Sequence, residues 1–493
     1  MNKHIITFFI LIITVSSKIY SQELISLIEI INLAKESSIE YQESMNKFLS
    51  DYWEYKKFKL NHMPIINFSL NPLSVNRSVI ERYDFENNIE VFRSSSTINS
   101  NAGLNISQKI PSTGGNVSFG SNLSRIENIG ETNVSSYGVN LIRFNISQPL
   151  FKHNPYRWEK KEIPLKLKKA KYRLLQSEQE LCKTTASLFF NILRASHLYQ
   201  IGKQEISNAD TLYFAGLRLM EINRITPNEL TELDLKRTNA RISLSTIKQN
   251  LNNAQFELNT LLRGKLTYDF TPYITDTIPI FSLKYNELLE MAQSMNPFYI
   301  EIEQEIIQLK KNMDQANKQN AFGANLNVGF GLNQGGNTIQ DAFGKPQRQQ
   351  SASVSLTIPT FDWGINKKTI LLAKREMELS FEKIKAKVTE FEQDLYRKTV
   401  DMEIVRDVVD KSSKARKLSI ESYKIKIQQY SIGKITLQEL NNSLVDMLSA
   451  EETYIDSIIS FWINLYELQQ ITIHDLIRNQ PLDTDFEALI KIL

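Results

Sequence analysis

Two periods of apolar and polar residues alternate along this chain. From Gly323 to Asn333, GANLNVGFGLN, and from Ser351 to Pro359, SASVSLTIP, apolar residues occupy every second position, the period of a two-faced strand. After Gly364 the spacing changes to three and four, as in KREMELSFEKIKAKVTEFEQDLY from Lys374 to Tyr396, which predicts an amphipathic helix. From Ile365 onward the one helix breaker before Pro481 is Gly433. A helix from Ile365 to Ile432 would be ~100 Å long at 1.5 Å per residue. No single globular core accommodates that length, so the helix must pack on partners in coiled-coil fashion. RFNISQPLFKHNPYRWEKK, Arg143 to Lys161, makes the same switch from strand to helix earlier in the chain.

The chain repeats itself. An offset of 210 residues aligns Pro149 with Pro359 and Phe151 with Phe361, and without a gap it sets Leu212–Leu230 on Ser422–Leu440. Tyr213/Tyr423, Ile222/Ile432, Ile225/Ile435, Thr226/Thr436, Glu229/Glu439 and Leu230/Leu440 are identical pairs. Upstream the offset becomes 258, pairing Ala34 with Ala292 and Tyr41 with Tyr299. Each half then reads helix, strand region, long helix, turn, long helix. The first repeat covers 22–263, with a strand region at 64–149 and a helical hairpin at 156–263. The second covers 285–480, with a strand region at 321–359 and a hairpin at 365–480. A linker at 264–284 separates them, a tail at 481–493 follows, and the 48 extra residues of the first half fall in its strand region.

In that first region IINFSLNP, NAGLNISQKIP, GNVSFGSNLSRI and GVNLIRFNISQP are candidate strands, with PSTGG joining the middle two as a hairpin. Strands near 9–11 residues match a tilted bilayer crossing. One face carries Leu326, Val328 and Phe330, and the other carries Asn325, Asn327 and glycine. A soluble sheet with one wet face gives the same alternation. In a membrane the sheet must close, and two strands per half make four per chain, fewer than the roughly eight of the smallest closed barrels. The chain would then share a barrel with copies of itself, in a number that the pattern leaves open.

Composition narrows the function. Of 493 residues 42% are hydrophobic and 23% charged, an ordinary folded balance, and the net charge of +3 offers no basic face for nucleic acid. The single cysteine, Cys182, rules out an intrachain disulfide or a cysteine metal cluster. Lys3 and His4 precede an apolar run from Ile5 to Val15 and then SSKIYSQ, the layout of a signal peptide at 1–21. An uncleaved anchor is the alternative, although eleven apolar residues fall short of the ~20 that span a bilayer. The five histidines are scattered, GFGLNQGG lacks a following Lys-Ser/Thr, and nothing marks a nucleophile, so neither an enzyme nor a cofactor is expected. Trp53, Tyr55, Phe151, Tyr156, Trp158 and Trp363 gather near strand–helix junctions, as an interfacial belt or as ordinary packing.

With ISQPLF (Ile146–Phe151), LTIPTFDWG (Leu356–Gly364) and YSIGKITLQEL (Tyr430–Leu440), in duplicate and in order, the mature chain resembles the TolC family of outer-membrane efflux proteins. The resemblance implies a mainly α fold with β: a homotrimer whose four strands per chain build one twelve-stranded barrel, with long antiparallel helical hairpins as a periplasmic tunnel. Pro149, Phe151, Pro359, Phe361 and Gly364 would mark the strand-to-helix junctions. Ile222, Asn223, Arg224 and Ile432, Gly433, Lys434 would be tips that meet a periplasmic adaptor serving an inner-membrane pump. Tyr430 matches a gate tyrosine, and Glu229 and Glu439 match acidic positions near the constriction. Threefold rings of these acids would favour cations and raise their pKa values; a solvated helix face is the plainer role for either glutamate. Two departures, Ile435 and Asn442 where family members carry an arginine and a second acid, imply a gate held differently. The expected function is a passive exit duct of a tripartite efflux or type I secretion system, embedded in outer-membrane lipid. A secreted coiled-coil spacer or adaptor without channel activity is the alternative.

Overall fold

The computed structural model describes residues 23–84, 88–129, 133–266, 270–273, 278–319 and 322–491. The expected signal peptide lies outside them. Strand β1 (Glu23–Ser26) leads into helices α1 (Leu27–Ser37) and α2 (Ile39–Leu60). Four long strands follow, β2 (Ile65–Asp84), β3 (Ile89–Ile110), β4 (Gly115–Ile129) and β5 (Val134–Leu150). A helical hairpin comes next, α3 (Pro155–Glu221) and α4 (Pro227–Leu261), then β6 (Phe270–Tyr273). Helices α5 (Tyr285–Met295) and α6 (Pro297–Gln319) precede β7 (Gly323–Gly336), the short α7 (Ile339–Gly344) and β8 (Gln347–Thr357). The second hairpin is α8 (Ile365–Ser431) and α9 (Leu437–Thr472), and β9 (His474–Asp475), β10 (Gln480–Pro481) and α10 (Phe486–Lys491) close the chain. Helices α3 and α8 are each 67 residues long, and α4 and α9 are 35 and 36.

The chain forms two compact units. One comprises 47–171 and 297–390 and holds a single antiparallel sheet in the order β2-β3-β4-β5-β7-β8. The sheet departs from expectation in size, with six strands where four were expected. Residues 65–110 form a complete extra hairpin, β2–β3, and this is where the first strand region exceeds the second. Repeat symmetry had set the count at two strands per half, but hydrophobic alternation marks which face a residue takes and says nothing of how many strands pair. Five of the six strands also run longer than 9–11 residues, up to 22 in β3, while β8 has 11.

Register makes the two faces continuous across all six strands. On one level Ile66, Ile106, Phe119, Phe144 and Phe330 lie side by side, and the row ends on β8 in the polar Gln350. The adjacent level, on the opposite face, reads Asn67, Asn105, Gly120, Arg143, Gly331 and Gln349. Another level of that polar face reads Ser69, Gly103, Asn122, Asn140, Asn333 and Gln347. Bulges between Asn71 and Ser74, Gly120 and Asn122, and Asn140 and Ile142 keep each face in phase while adding twist. Glycine in the polar rows lets neighbouring backbones approach: a Cβ at Gly331 would stand 2.7 Å from the Ile142 carbonyl oxygen.

The other unit comprises the described residues within 23–46, 172–296 and 391–491. Its core joins α1, α3, α4, α5, α8 and α9 through Ile30, Phe189, Leu258, Leu288, Leu395 and Phe461, all essentially inaccessible to solvent. β1 and β6 pair in parallel along its side. No helix among the described residues is long and apolar enough to cross a membrane.

Candidate functional site

Each helical hairpin turns within five residues, and the two turns share one construction. At the end of α3 the Arg224 amide donates to the Leu219 carbonyl (2.8 Å) and the Asn223 amide to Met220 (2.9 Å). At the end of α8 Lys434 donates to Gln429 (2.9 Å) and Gly433 to Tyr430 (2.8 Å). Both are Schellman caps, which need one residue in the left-handed region; Asn223 has φ 51° and Gly433 φ 72°. The next helix starts at once. Thr226 and Thr436 cap α4 and α9, each accepting from the amide three residues on, and Glu229 and Glu439 reach back to the threonine amides at 2.7 and 2.8 Å. That reciprocal pair satisfies two donors at a helix start. The identities between halves at Thr226/Thr436 and Glu229/Glu439 therefore have a local cause.

Around these caps the tip residues stand clear of the fold. Ile222 and Ile432 are both 64% exposed, an unusual cost for isoleucine, and Asn223, Arg224, Gly433 and Lys434 are exposed beside them. The residues assigned to a gate divide into separate contacts. Tyr430 is half-buried, and burial together with the nearby Glu229 carboxylate raises its phenol pKa. Glu439 is exposed, and hydrogen bonds from the Thr436 amide and hydroxyl hold its carboxyl below the usual range, with Lys426 adding to this. Asn442 accepts from Gln438 (3.0 Å) along the same helix.

At the sheet the junctions are built differently in the two halves. Pro149 is still inside β5, paired with Asn325, while Pro359 lies beyond the end of β8. Phe151 (φ 65°), Trp363 (φ 53°) and Gly364 (φ 82°) are left-handed, so the chain reverses sharply before each long helix. Asp362 caps α8 by accepting from the amides of Gly364 and Asn366, both at 2.9 Å. Phe151, Phe361 and Trp363 are largely exposed just past one end of the sheet. Trp158 packs instead, donating its indole N–H to Asp314 (3.2 Å). Asp314 also binds His153 (2.7 Å) and Lys318 (2.6 Å). Burial works against its charge, but these hydrogen bonds outweigh that and keep its carboxyl low.

Two groups escaped the sequence reading. Glu451, its side chain 3% exposed, accepts from His197 and from Arg416 Nε (2.5 Å) inside the helical unit. Desolvation opposes its ionisation, and the hydrogen bonds from His197 and Arg416 outweigh that and lower the pKa. The partners are 254 and 35 residues away, too distant in sequence for spacing to reveal them. Arg143 stands on the polar face of the sheet between Gly120 and Gly331, its Nε donating to Asn145 (3.2 Å). Among the described residues no cluster of histidine, cysteine and carboxylates is placed to hold a metal.

No family model matches the sequence, and no curated protein is a significant relative. Solved structures do match. The Campylobacter jejuni CmeC outer membrane channel aligns over 95% of this chain and 89% of its own, at 13% identity and a TM-score of 0.64. The open state of the Neisseria gonorrhoeae MtrE outer membrane channel aligns over 93% and 91%, at 16% identity and 0.61. The Vibrio cholerae outer membrane protein VceC aligns over 93% and 97%, at 10% identity and 0.61. The chain has the fold of these outer-membrane channels, the fold that its resemblance to the TolC family implied.

Proposed function

We propose that the protein is an outer-membrane channel-tunnel, extending into the periplasm and acting as the passive exit duct of a tripartite efflux or type I secretion system. The observation that carries this is the two-faced sheet: through its middle levels one face is mainly apolar, with exceptions such as Gln350 on β8, and the other is mainly asparagine, serine and glycine around Arg143. Such a sheet is stable with lipid on one side and water on the other. Its long helical hairpins, one from each of two structural repeats (22–263 and 285–480), would wall the periplasmic part in a homotrimer. The exposed tips Ile222–Arg224 and Ile432–Lys434 would dock an adaptor, which couples the duct to an energised inner-membrane pump. Cargo would be small molecules or secreted polypeptides, selected mainly by the pump.

The test is extraction. From separated outer membranes, mild detergent should release a species of three chains that dissociates on heating and conducts ions in a planar bilayer. A monomer released without detergent would overturn the channel and favour a secreted coiled-coil spacer.

A further inference from the structure

The sheet ends in two open edges, and its strand count bears on how they close. Every residue of β8 is exposed, and so is every described side chain of β2 except Ser74. The edge strands carry the same chemistry as the interior: Asn67, Ser69 and Asn71 on β2 and Ser351, Ser353 and Ser355 on β8 lie on the polar face. Phe68 and Leu70, and Val354 and Leu356, lie on the apolar face, which on β8 gives way to Gln350 and Arg348 towards the strand's start. Pro72, which cannot donate to a ladder, sits at the bulge of an edge strand, where its missing N–H is tolerated. The β2–β3 hairpin is thus built as membrane wall. An unpaired edge cannot face hydrocarbon.

Resting on the channel reading above, we infer that all six strands enter the barrel and that β2 of one copy pairs with β8 of the next. Six strands alternate up and down, so β2 and β8 run in opposite directions and a second copy continues the antiparallel order without a break. Six strands from each of three copies make eighteen, in place of the twelve that the family resemblance implied. Barrel diameter grows roughly in proportion to strand number, and barrels of 16–18 strands enclose a water-filled channel. The outer-membrane end is therefore about half as wide again as a twelve-stranded one.

Cysteine pairing across the edges tests this. Two differently tagged copies are co-expressed, one with Asn67→Cys, Ser69→Cys or Asn71→Cys and the other with Ser351→Cys, Ser353→Cys or Ser355→Cys. Native Cys182 does not interfere, because burial, reinforced by Glu178, pushes its thiol up to about 12. Oxidation of the membrane-bound protein should yield covalent dimers carrying both tags for at least one β2–β8 combination. If β2–β3 lies outside the barrel, β4 becomes the edge, and dimers would form from Ser118→Cys with a β8 cysteine while β2 stays unlinked. That result, or a three-chain species with no β2–β8 dimer, overturns the inference and leaves the channel standing. A detergent-free monomer instead removes the channel reading itself.

Discussion

Thr436 and Glu439 hold each other at the start of α9, and this limits what a substitution at either residue reports. Glutamine fills the same place in a capping box as glutamate. Glu439→Gln should therefore leave thermal stability almost unchanged while removing the charge, and Glu439→Ala should lose both. If the acids set ion preference, bilayer recordings of the glutamine variant will show reduced cation selectivity; an unchanged reversal potential would leave Glu439 as a cap alone. Because the folded-state pKa of Glu439 is depressed, its capping contribution is present above the ordinary glutamate value near 4.3 and fades as pH falls through the folded value. Thr436→Ala should cost about 1 kcal/mol of local helix stability, read by amide exchange in the first turn of α9. Gly433→Ala should cost about 1–2 kcal/mol, since alanine resists the left-handed region, whereas Asn223→Gly should be tolerated. In the sequence the resemblance and the lone helix breaker Gly433 pointed to these turns, while the capping boxes went unread until the backbone was seen. Asn223 takes the left-handed position that Gly433 takes in the second turn, the usual substitute for glycine there.

Among elements, the long helices could be read from spacing and the rarity of helix breakers, and what pins them together could not. Glu451 joins α9 to α3 and α8 through His197 and Arg416, and no local pattern announces such a triad. Glu451→Ala, which removes the buried acceptor shared by His197 and Arg416, should destabilise the helical unit by about 1–3 kcal/mol, seen as a lower unfolding midpoint. The lowered pKa gives the pH sign: the triad stabilises above the ordinary glutamate value near 4.3 and weakens as acid titrates Glu451 through its folded value. The strands show the opposite limit. IINFSLNP and NAGLNISQKIP were visible as candidate strands, but symmetry between the halves argued for two strands each. In β3 the run from Phe92 to Ser100, FRSSSTINS, alternates too weakly to show that the hairpin continues.

At the scale of the assembled barrel, the polar face is nearly free of charge. From the level of Asn145 to that of Gly138, Arg143 is the one ionised residue on that face, with Lys109 at the next polar level beside Asn116 and Ser147; the Glu127 carboxylate and its partner, the Arg125 guanidinium, lie on the apolar side near the far end of the sheet. Copies related by symmetry bring these guanidinium groups into one ring, and rings of arginine favour anions. Arg143→Gln should accordingly shift the reversal potential of a salt gradient towards cations without changing the yield of assembled protein. In such a barrel a cargo would meet arginine in the sheet, and a filter of opposite sign at the tips if Glu439 sets ion preference there. The added hairpin has a further consequence, for how such barrels change over evolution. A single inserted strand would leave β2 and β8 running the same way, and no ring of copies could then keep the antiparallel order. Insertions that survive must come in pairs of strands, and threefold symmetry multiplies each pair to six. Pore width in proteins of this design can therefore grow only in coarse, discrete increments, and β2–β3 is one such increment.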